Sequence, residues 1–191
     1  MKIEVELDDD GVARKAAAII AADARAAVSA RGRFIMAVSG GRTPWMMLRA
    51  LADEQLPGKA CMWCRWMSAR RRRPIRTGTS HTCARACSIM RRCGPTTSMR
   101  CRSRRRDLDR AAEQYARTLR EVAGSPAVLD LVHLGLGPDG HTASLVPGDP
   151  VLAVTDADVA VTGPYQGRRR MTLTLPDHQP VPARVMAGDR R

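Results

Sequence analysis

The chain has 191 residues and a mass of 20.9 kDa, which suits one ordinary domain with a core of its own and rules out a peptide or a disulfide-stapled miniature. Thirty-two Lys and Arg against nineteen Asp and Glu give a formal net charge of +13, which taken alone points to nucleic acid or another acidic surface. That charge is confined: fifteen Lys and Arg and no Asp or Glu lie between Lys59 and Arg106, leaving seventeen basic against nineteen acidic residues elsewhere.

All six cysteines, Cys61, Cys64, Cys83, Cys87, Cys93 and Cys101, fall in the same window. The N-terminus, Met1 to Glu6, alternates acidic and apolar residues without a basic start and apolar stretch, so no export signal is expected. No apolar run reaches the roughly 20 residues needed to cross a bilayer. The sequence therefore predicts a cytoplasmic protein with no membrane partner, in which six cysteines lose their claim to a disulfide framework.

In chain order, Val12 to Ala30 is alanine-rich with Val12, Ala16, Ile19, Ile20, Ala24, Ala27 and Val28 at helical spacing and Gly32 as its stop, which predicts an amphipathic helix. Phe34 to Val38 is a short continuous apolar run, as in a parallel strand buried on both faces. It enters Ser39-Gly40-Gly41-Arg42-Thr43-Pro44, where Pro44 suits a first helical position and a helix is expected over 44–54. Past the basic window, Asp107 to Ala123 predicts a helix with Leu108, Ala111, Ala112, Tyr115, Leu119 and Val122 inward, closed by Gly124. Leu129 to Gly135 reads as a second buried strand, with His133 packed inside it. It runs into Leu136-Gly137-Pro138-Asp139-Gly140-His141-Thr142, where His141 is expected at the start of a helix. Strand, glycine loop and helix thus recur. They predict an α/β fold with an open, doubly wound, mostly parallel sheet, helices on both faces and ligands at the carboxyl ends of the strands.

Each glycine loop has two readings. Ser39 to Thr43 is either a tight turn or an anion cradle in which backbone N–H groups and the Ser39 and Thr43 hydroxyls face a phosphate at a helix N-terminus. No Gly-Lys-Ser/Thr follows, so it is not a P-loop. His141 exchanges protons near neutral pH and stands where open sheets build active sites, with Asp139 and Gly140 beside it.

At these residues the chain resembles a family. Gly135 to Leu145 followed by Pro147, together with Ser39 to Pro44, closely resembles the 6-phosphogluconolactonases. The wider superfamily includes glucosamine-6-phosphate deaminases, which share the Asp-Gly-His core; Thr142-Ala143-Ser144-Leu145 is the lactonase continuation. Arg170-Met171-Thr172-Leu173-Thr174 is similar to the family's late strand, whose arginine faces the sugar phosphate. The resemblance covers 1–58 and 107–175, about two thirds of the chain. It implies hydrolysis of 6-phospho-D-glucono-1,5-lactone to 6-phosphogluconate, in the pentose phosphate pathway, with no metal or organic cofactor; a monomer of one domain spanning 1–191 is expected beside it. His141 would be the general base, with Asp139 and Gly140 positioning loop and water. Ser39, Gly40, Gly41, Arg42, Thr43 and Arg170 would hold the phosphate of a small sugar-phosphate lactone. Arg168 and Arg169 read as solvated edge charges.

Residues 59–106 and 176–191 do not fit. Cys61 to Ala69 is dense in residues with one or two codons, so its DNA is nearly forced. Read one base earlier, that DNA gives Val-His-Val-Val-Gln-Val-Asp-Glu-Arg when the first base is G, a buried strand ending as the family's does. The tail from Asp177 to Arg190, read from the second base, permits Ile-Ile-Asn-Arg-x-Arg-Arg-Val-x-Trp-Leu-Val-Thr-Gly, with the Trp codon forced by Met186-Ala187. We read both segments as off-frame translation, non-native or disordered in this chain, which costs the sheet a central strand and the strand and helix after Thr174. It also removes the arginine of the reconstructed Asp-Glu-Arg, a further phosphate ligand. Three other readings stand beside this one: a zinc site from Cys61 and Cys64 with His81, Cys83 or Cys87, a nucleic-acid insert built on Arg70 to Arg73 and Arg104 to Arg106 with Trp63 and Trp66 stacking, and a disordered basic loop. With the lactonase reading, nucleic acid is not the expected partner.

Overall fold

Three consecutive aspartates ahead of an alanine-rich run set the first helix. The computed structural model describes residues 3–39, 43–65, 107–175 and 183–185, and in it α1 spans Asp9–Arg31. The Asp8 carboxylate accepts from the Gly11 N–H at 2.6 Å, and Asp9 and Asp10 lie in the first turn, where the helix dipole favours negative charge. Gly32 ends the helix in the left-handed conformation, its N–H donating to the Val28 carbonyl at 2.8 Å. The helix exceeds the predicted 12–30 at both ends, because apolar spacing marks the buried stripe and caps lie beyond it.

The sheet is built around β1 (Phe34–Val38), whose five residues are all buried. Phe34, Met36 and Val38 join one core cluster with Ile20, Ala21 and Ala24 of α1 and Met47, Leu48 and Leu51 of α2 (Thr43–Leu51). Ile35 and Ala37 join a second cluster with Ala112, Tyr115, Ala116 and Leu119 of α3 (Leu108–Ala123). One strand therefore feeds two cores on opposite faces, which is the physical content of a doubly wound sheet and the reason its sequence is apolar without alternation. The alanines of α1 let it lie close against α2. α2 stops short of the expected residue 54: the N–H groups of Ala52, Asp53 and Glu54 bond three residues back, a tightened last turn.

Beside β1 lie β2 (Cys61–Arg65) and β3 (Leu131–Leu134), and β6 (Ala183–Val185) flanks β3, giving the order β2-β1-β3-β6 with every pair parallel. The predicted loss of strands from the anomalous segments is thus corrected. β2 runs from Phe34↔Cys61 to Val38↔Arg65 along β1, and β6 supplies a strand after Thr174. Parallel pairing is made by backbone groups, and Cys61-Met62-Trp63-Cys64 is apolar enough to follow a strand path whatever its codon history. The remainder of those segments, 66–106, 176–182 and 186–191, lies outside the described residues. A second sheet pairs β4 (Val159–Val161) with β5 (Met171–Leu173) in antiparallel register and packs beneath α3. β3 is shorter than the predicted strand because Asp130 works as a cap: its carboxylate accepts from the Ile35 N–H at 2.7 Å and pairs with Arg31. Among the described residues no helix is long and apolar enough to cross a membrane.

His133 of β3 is buried, and burial pushes its imidazole down to about 4 from an ordinary value near 6.5. The folded protein therefore binds this proton less readily than the unfolded chain does. The stability that the neutral ring contributes is present above pH 6.5 and is lost as pH falls toward 4. In urea titrations at pH 7 and 4.5, the wild-type protein is expected to lose about 2 to 3 kcal/mol more than His133→Leu between the two conditions; parallel losses would contradict a buried neutral histidine.

Candidate active site

The chain leaves β3 through a loop that folds back on itself. Its order comes from the Gly137 N–H donating to the His141 carbonyl at 2.6 Å, the Gly140 N–H to the Gly137 carbonyl at 2.9 Å, and the Thr142 hydroxyl to the Gly135 carbonyl at 2.9 Å. The helix expected to start at His141 is absent. Gly140 (φ 83°) and Ala143 (φ 52°) both adopt left-handed conformations, and a right-handed helix cannot run through them. Short bridges Leu136↔Thr142 and Thr142↔Leu145 replace it, so His141 is held by a closed loop, not by a helix dipole.

Gly137 sets where the ring can lie. A Cβ at this position would collide with Nδ1, Cε1 and Cγ of His141, and the ring is too short and too firmly bonded to yield. Gly137→Ala is expected to displace His141 and lower turnover at least tenfold, with a far smaller effect on the melting temperature; unchanged kcat would show that the close approach is dispensable.

His141 Nδ1 and Asp139 Oδ1 are 2.5 Å apart, and the His141 backbone N–H reaches the same oxygen at 3.3 Å. The other carboxylate oxygen, Oδ2, accepts from the Tyr165 hydroxyl at 2.9 Å. These bonds, the His141 side chain first and Tyr165 after it, hold the Asp139 carboxyl down to about 2. The hydrogen bond to Asp139, and after it desolvation and the carboxylate's charge, in turn raise the Tyr165 hydroxyl above its usual value. A carboxylate only accepts, so Nδ1 carries the hydrogen and the Nε2 lone pair is the basic position. The pair therefore holds the neutral His141 ring in one tautomer, with its lone pair on Nε2.

Tyr165 also links this pair to Arg170. Its ring meets that of His141 edge-on, 5.5 Å between centroids, and the Arg170 guanidinium lies 5.2 Å from the tyrosine centroid. The Arg170 backbone N–H donates to Thr162 Oγ1 at 3.0 Å, while its side-chain Nε is buried with no hydrogen-bond partner among the described residues. A guanidinium with an unpartnered Nε, set over Tyr165, is suited to an anionic ligand. Arg169 pairs loosely with Asp109 at 3.4 Å and Arg168 is exposed, as edge charges would be. Tyr165 was missed in the sequence; its one signal is an aromatic residue alone in Gly163-Pro164-Tyr165-Gln166-Gly167, just ahead of Arg170.

Ser39 follows β1 at the same edge of the sheet, and its Oγ lies 2.9 Å from His133 Nδ1. Gly40, Gly41 and Arg42 lie outside the described residues. Thr43 opens α2, but its side chain is not described. The structure thus brings Asp139, Gly140, His141 and Arg170 into one contiguous group and sets Ser39 on the adjacent strand end. Cys61 is buried in the core. The side chains of the other zinc candidates, Cys64, His81, Cys83 and Cys87, and of the proposed nucleic-acid contacts, Arg70 to Arg73, Arg104 to Arg106, Trp63 and Trp66, lie outside the described residues.

The sequence model of the family described as glucosamine-6-phosphate isomerases/6-phosphogluconolactonase matches residues 7–177. A 6-phosphogluconolactonase of Rattus norvegicus is 34% identical over 154 residues, covering 76% of this chain and 60% of the rat protein. A 6-phosphogluconolactonase of Homo sapiens is 32% identical over 173 residues, covering 86% of this chain and 64% of the human protein. The chain thus spans less than two thirds of the length of these relatives. Among solved structures, the 6-phosphogluconolactonase from Trypanosoma cruzi superposes with a TM-score of 0.72 at 23% identity, over 96% of this chain and 79% of that one, a likeness of fold.

Proposed function

Since the chain belongs to the family of glucosamine-6-phosphate isomerases and 6-phosphogluconolactonases, we propose that it hydrolyses 6-phospho-D-glucono-1,5-lactone to 6-phosphogluconate. The observation that carries this reading is the Asp139–His141 pair, with Nδ1 tied to a carboxylate and Nε2 left as base. Water loses a proton to His141 Nε2 as its oxygen bonds to the lactone carbonyl carbon, giving a tetrahedral oxyanion. The oxyanion collapses, the bond from that carbon to the ring oxygen breaks, and the imidazolium returns the proton to the leaving oxygen. Asp139 stabilises the imidazolium between the two transfers, and Gly140 shapes the loop. Arg170 and Ser39, with Gly40, Gly41, Arg42 and Thr43, would hold the phosphate. On this reading the protein is a monomer of one domain, works in the cytoplasm and needs neither metal nor organic cofactor.

Thr142-Ala143-Ser144-Leu145 favours the lactonase over a deaminase of the same family. The test is the purified chain assayed side by side for acid release from the lactone and ammonia release from glucosamine 6-phosphate. Lactone turnover alone is expected, and ammonia release in its place would overturn the assignment. Resequencing of codons 55–110 and beyond codon 170 is expected to show single-base shifts near codons 59, 106 and 176. An unbroken frame would instead make the basic window part of the protein and leave the phosphate without the reconstructed arginine.

A further inference from the structure

β1 and β3 are neighbours in the sheet but not in the chain, so the loops leaving their carboxyl ends meet at a switch point, where open α/β sheets bind ligands. His133 lies in β3 at this junction, paired in register with Val38, the last residue of β1. It is 2% exposed, and an aliphatic residue would fill such a position without the cost of burying an imidazole.

Of its two ring nitrogens, Nδ1 meets Ser39 Oγ at 2.9 Å and Nε2 has no partner among the described residues. Burial keeps the ring neutral at physiological pH, so it carries one hydrogen. Buried N–H groups without an acceptor are rarer than unsatisfied acceptors, which places that hydrogen on Nδ1. Ser39 Oγ then accepts from the histidine. A hydroxyl that accepts still has its own proton to give, and this one sits between the end of β1 and the start of α2.

We propose that His133 is a positioning residue for phosphate recognition: by donating from Nδ1 to Ser39 Oγ it turns the serine hydroxyl outward as a donor to the substrate's phosphoryl group. The proposal rests on the lactonase reading above for the identity of the phosphate ester. Without the histidine nothing in the described residues fixes the direction of the Ser39 hydroxyl.

Nitrogen-15 NMR of the histidine-labelled protein tests the tautomer without any assay of turnover. A hydrogen on Nδ1 with bare Nε2 from pH 6 to 8 is expected, and a hydrogen on Nε2 would overturn the proposal. Kinetics then compare the phosphorylated lactone with unphosphorylated glucono-1,5-lactone. Preference for the phosphorylated substrate is expected to fall about tenfold in Ser39→Ala and in His133→Leu alike, through KM, with the double variant no worse than either. His133→Asn, whose amide places an N–H near the Nδ1 position, is expected to recover part of it. Additive losses, or equal losses on both lactones, would reduce His133 to packing. If neither lactone is turned over, the lactonase reading fails by itself, and titration with inorganic phosphate decides the pair: equal weakening in the two single variants sustains it, and unchanged binding sinks it.

Discussion

Replacing His141 by alanine is expected to slow lactone hydrolysis by about 10²–10⁴-fold, the usual contribution of a general base, while leaving the fold intact. The side chain is 19% exposed and stands in the loop after β3, outside both core clusters, so its removal opens no core cavity. On the proposed reading it removes the acceptor for the proton of the attacking water, together with the donor to Asp139. The hydrogen bond from His141 is the largest cause of the low Asp139 pKa, so in the variant that carboxyl should move back toward the ordinary range, visible in an NMR titration. Circular dichroism and melting curves check the fold. A loss of less than tenfold in a folded variant would remove His141 from the role of base.

Asp139→Asn is expected to cost nearly as much, about 10²–10⁴-fold in kcat. An asparagine amide can donate to Nδ1 and so stabilise the tautomer with hydrogen on Nε2, which has no lone pair left for water. It also removes the negative charge that stabilises the imidazolium. Tyr165→Phe leaves the carboxylate and deletes one hydrogen bond to it, so a loss of about tenfold is expected there. The order, Asp139→Asn well beyond Tyr165→Phe, separates a tautomer-fixing carboxylate from a general tightening of the loop, and equal losses would favour the latter. Since Asp139 titrates at about 2, its charge is intact at any working pH. Protonation of this carboxyl should cause no loss of activity above about pH 3.

The elements that carry the fold were legible where residue type and position agree. Five apolar residues between Arg33 and Ser39 announce a strand buried on both sides, and Asp107 and Gly124 bracket α3 as caps should. The Asp139-Gly140-His141 cluster stood out in the sequence as a candidate site, and the structure ties its histidine to its carboxylate. Its backbone was not legible: the left-handed Ala143 belongs to a residue that ordinarily favours helix, and only the closed loop forces it. Tyr165 reaches Asp139 across 26 positions of sequence, and His133 reaches Ser39 across 94. No local pattern encodes such contacts. β2 and β6 were hidden for the opposite reason: the composition around them is foreign to an enzyme, while strand pairing asks only for a backbone and tolerable side chains.

The central claim is that this chain opens a phosphorylated sugar lactone with His141 as base, and a pH-stat measurement reads it directly. Each hydrolysis of 6-phospho-D-glucono-1,5-lactone releases one acid, and the lactone also opens spontaneously, so the quantity that matters is the rate above that background. With the folded 191-residue chain, acid release should rise in proportion to protein concentration and fall back toward the spontaneous rate in His141→Ala. A folded wild-type protein that leaves the spontaneous rate unchanged, or an alanine variant as fast as wild type, would contradict the account.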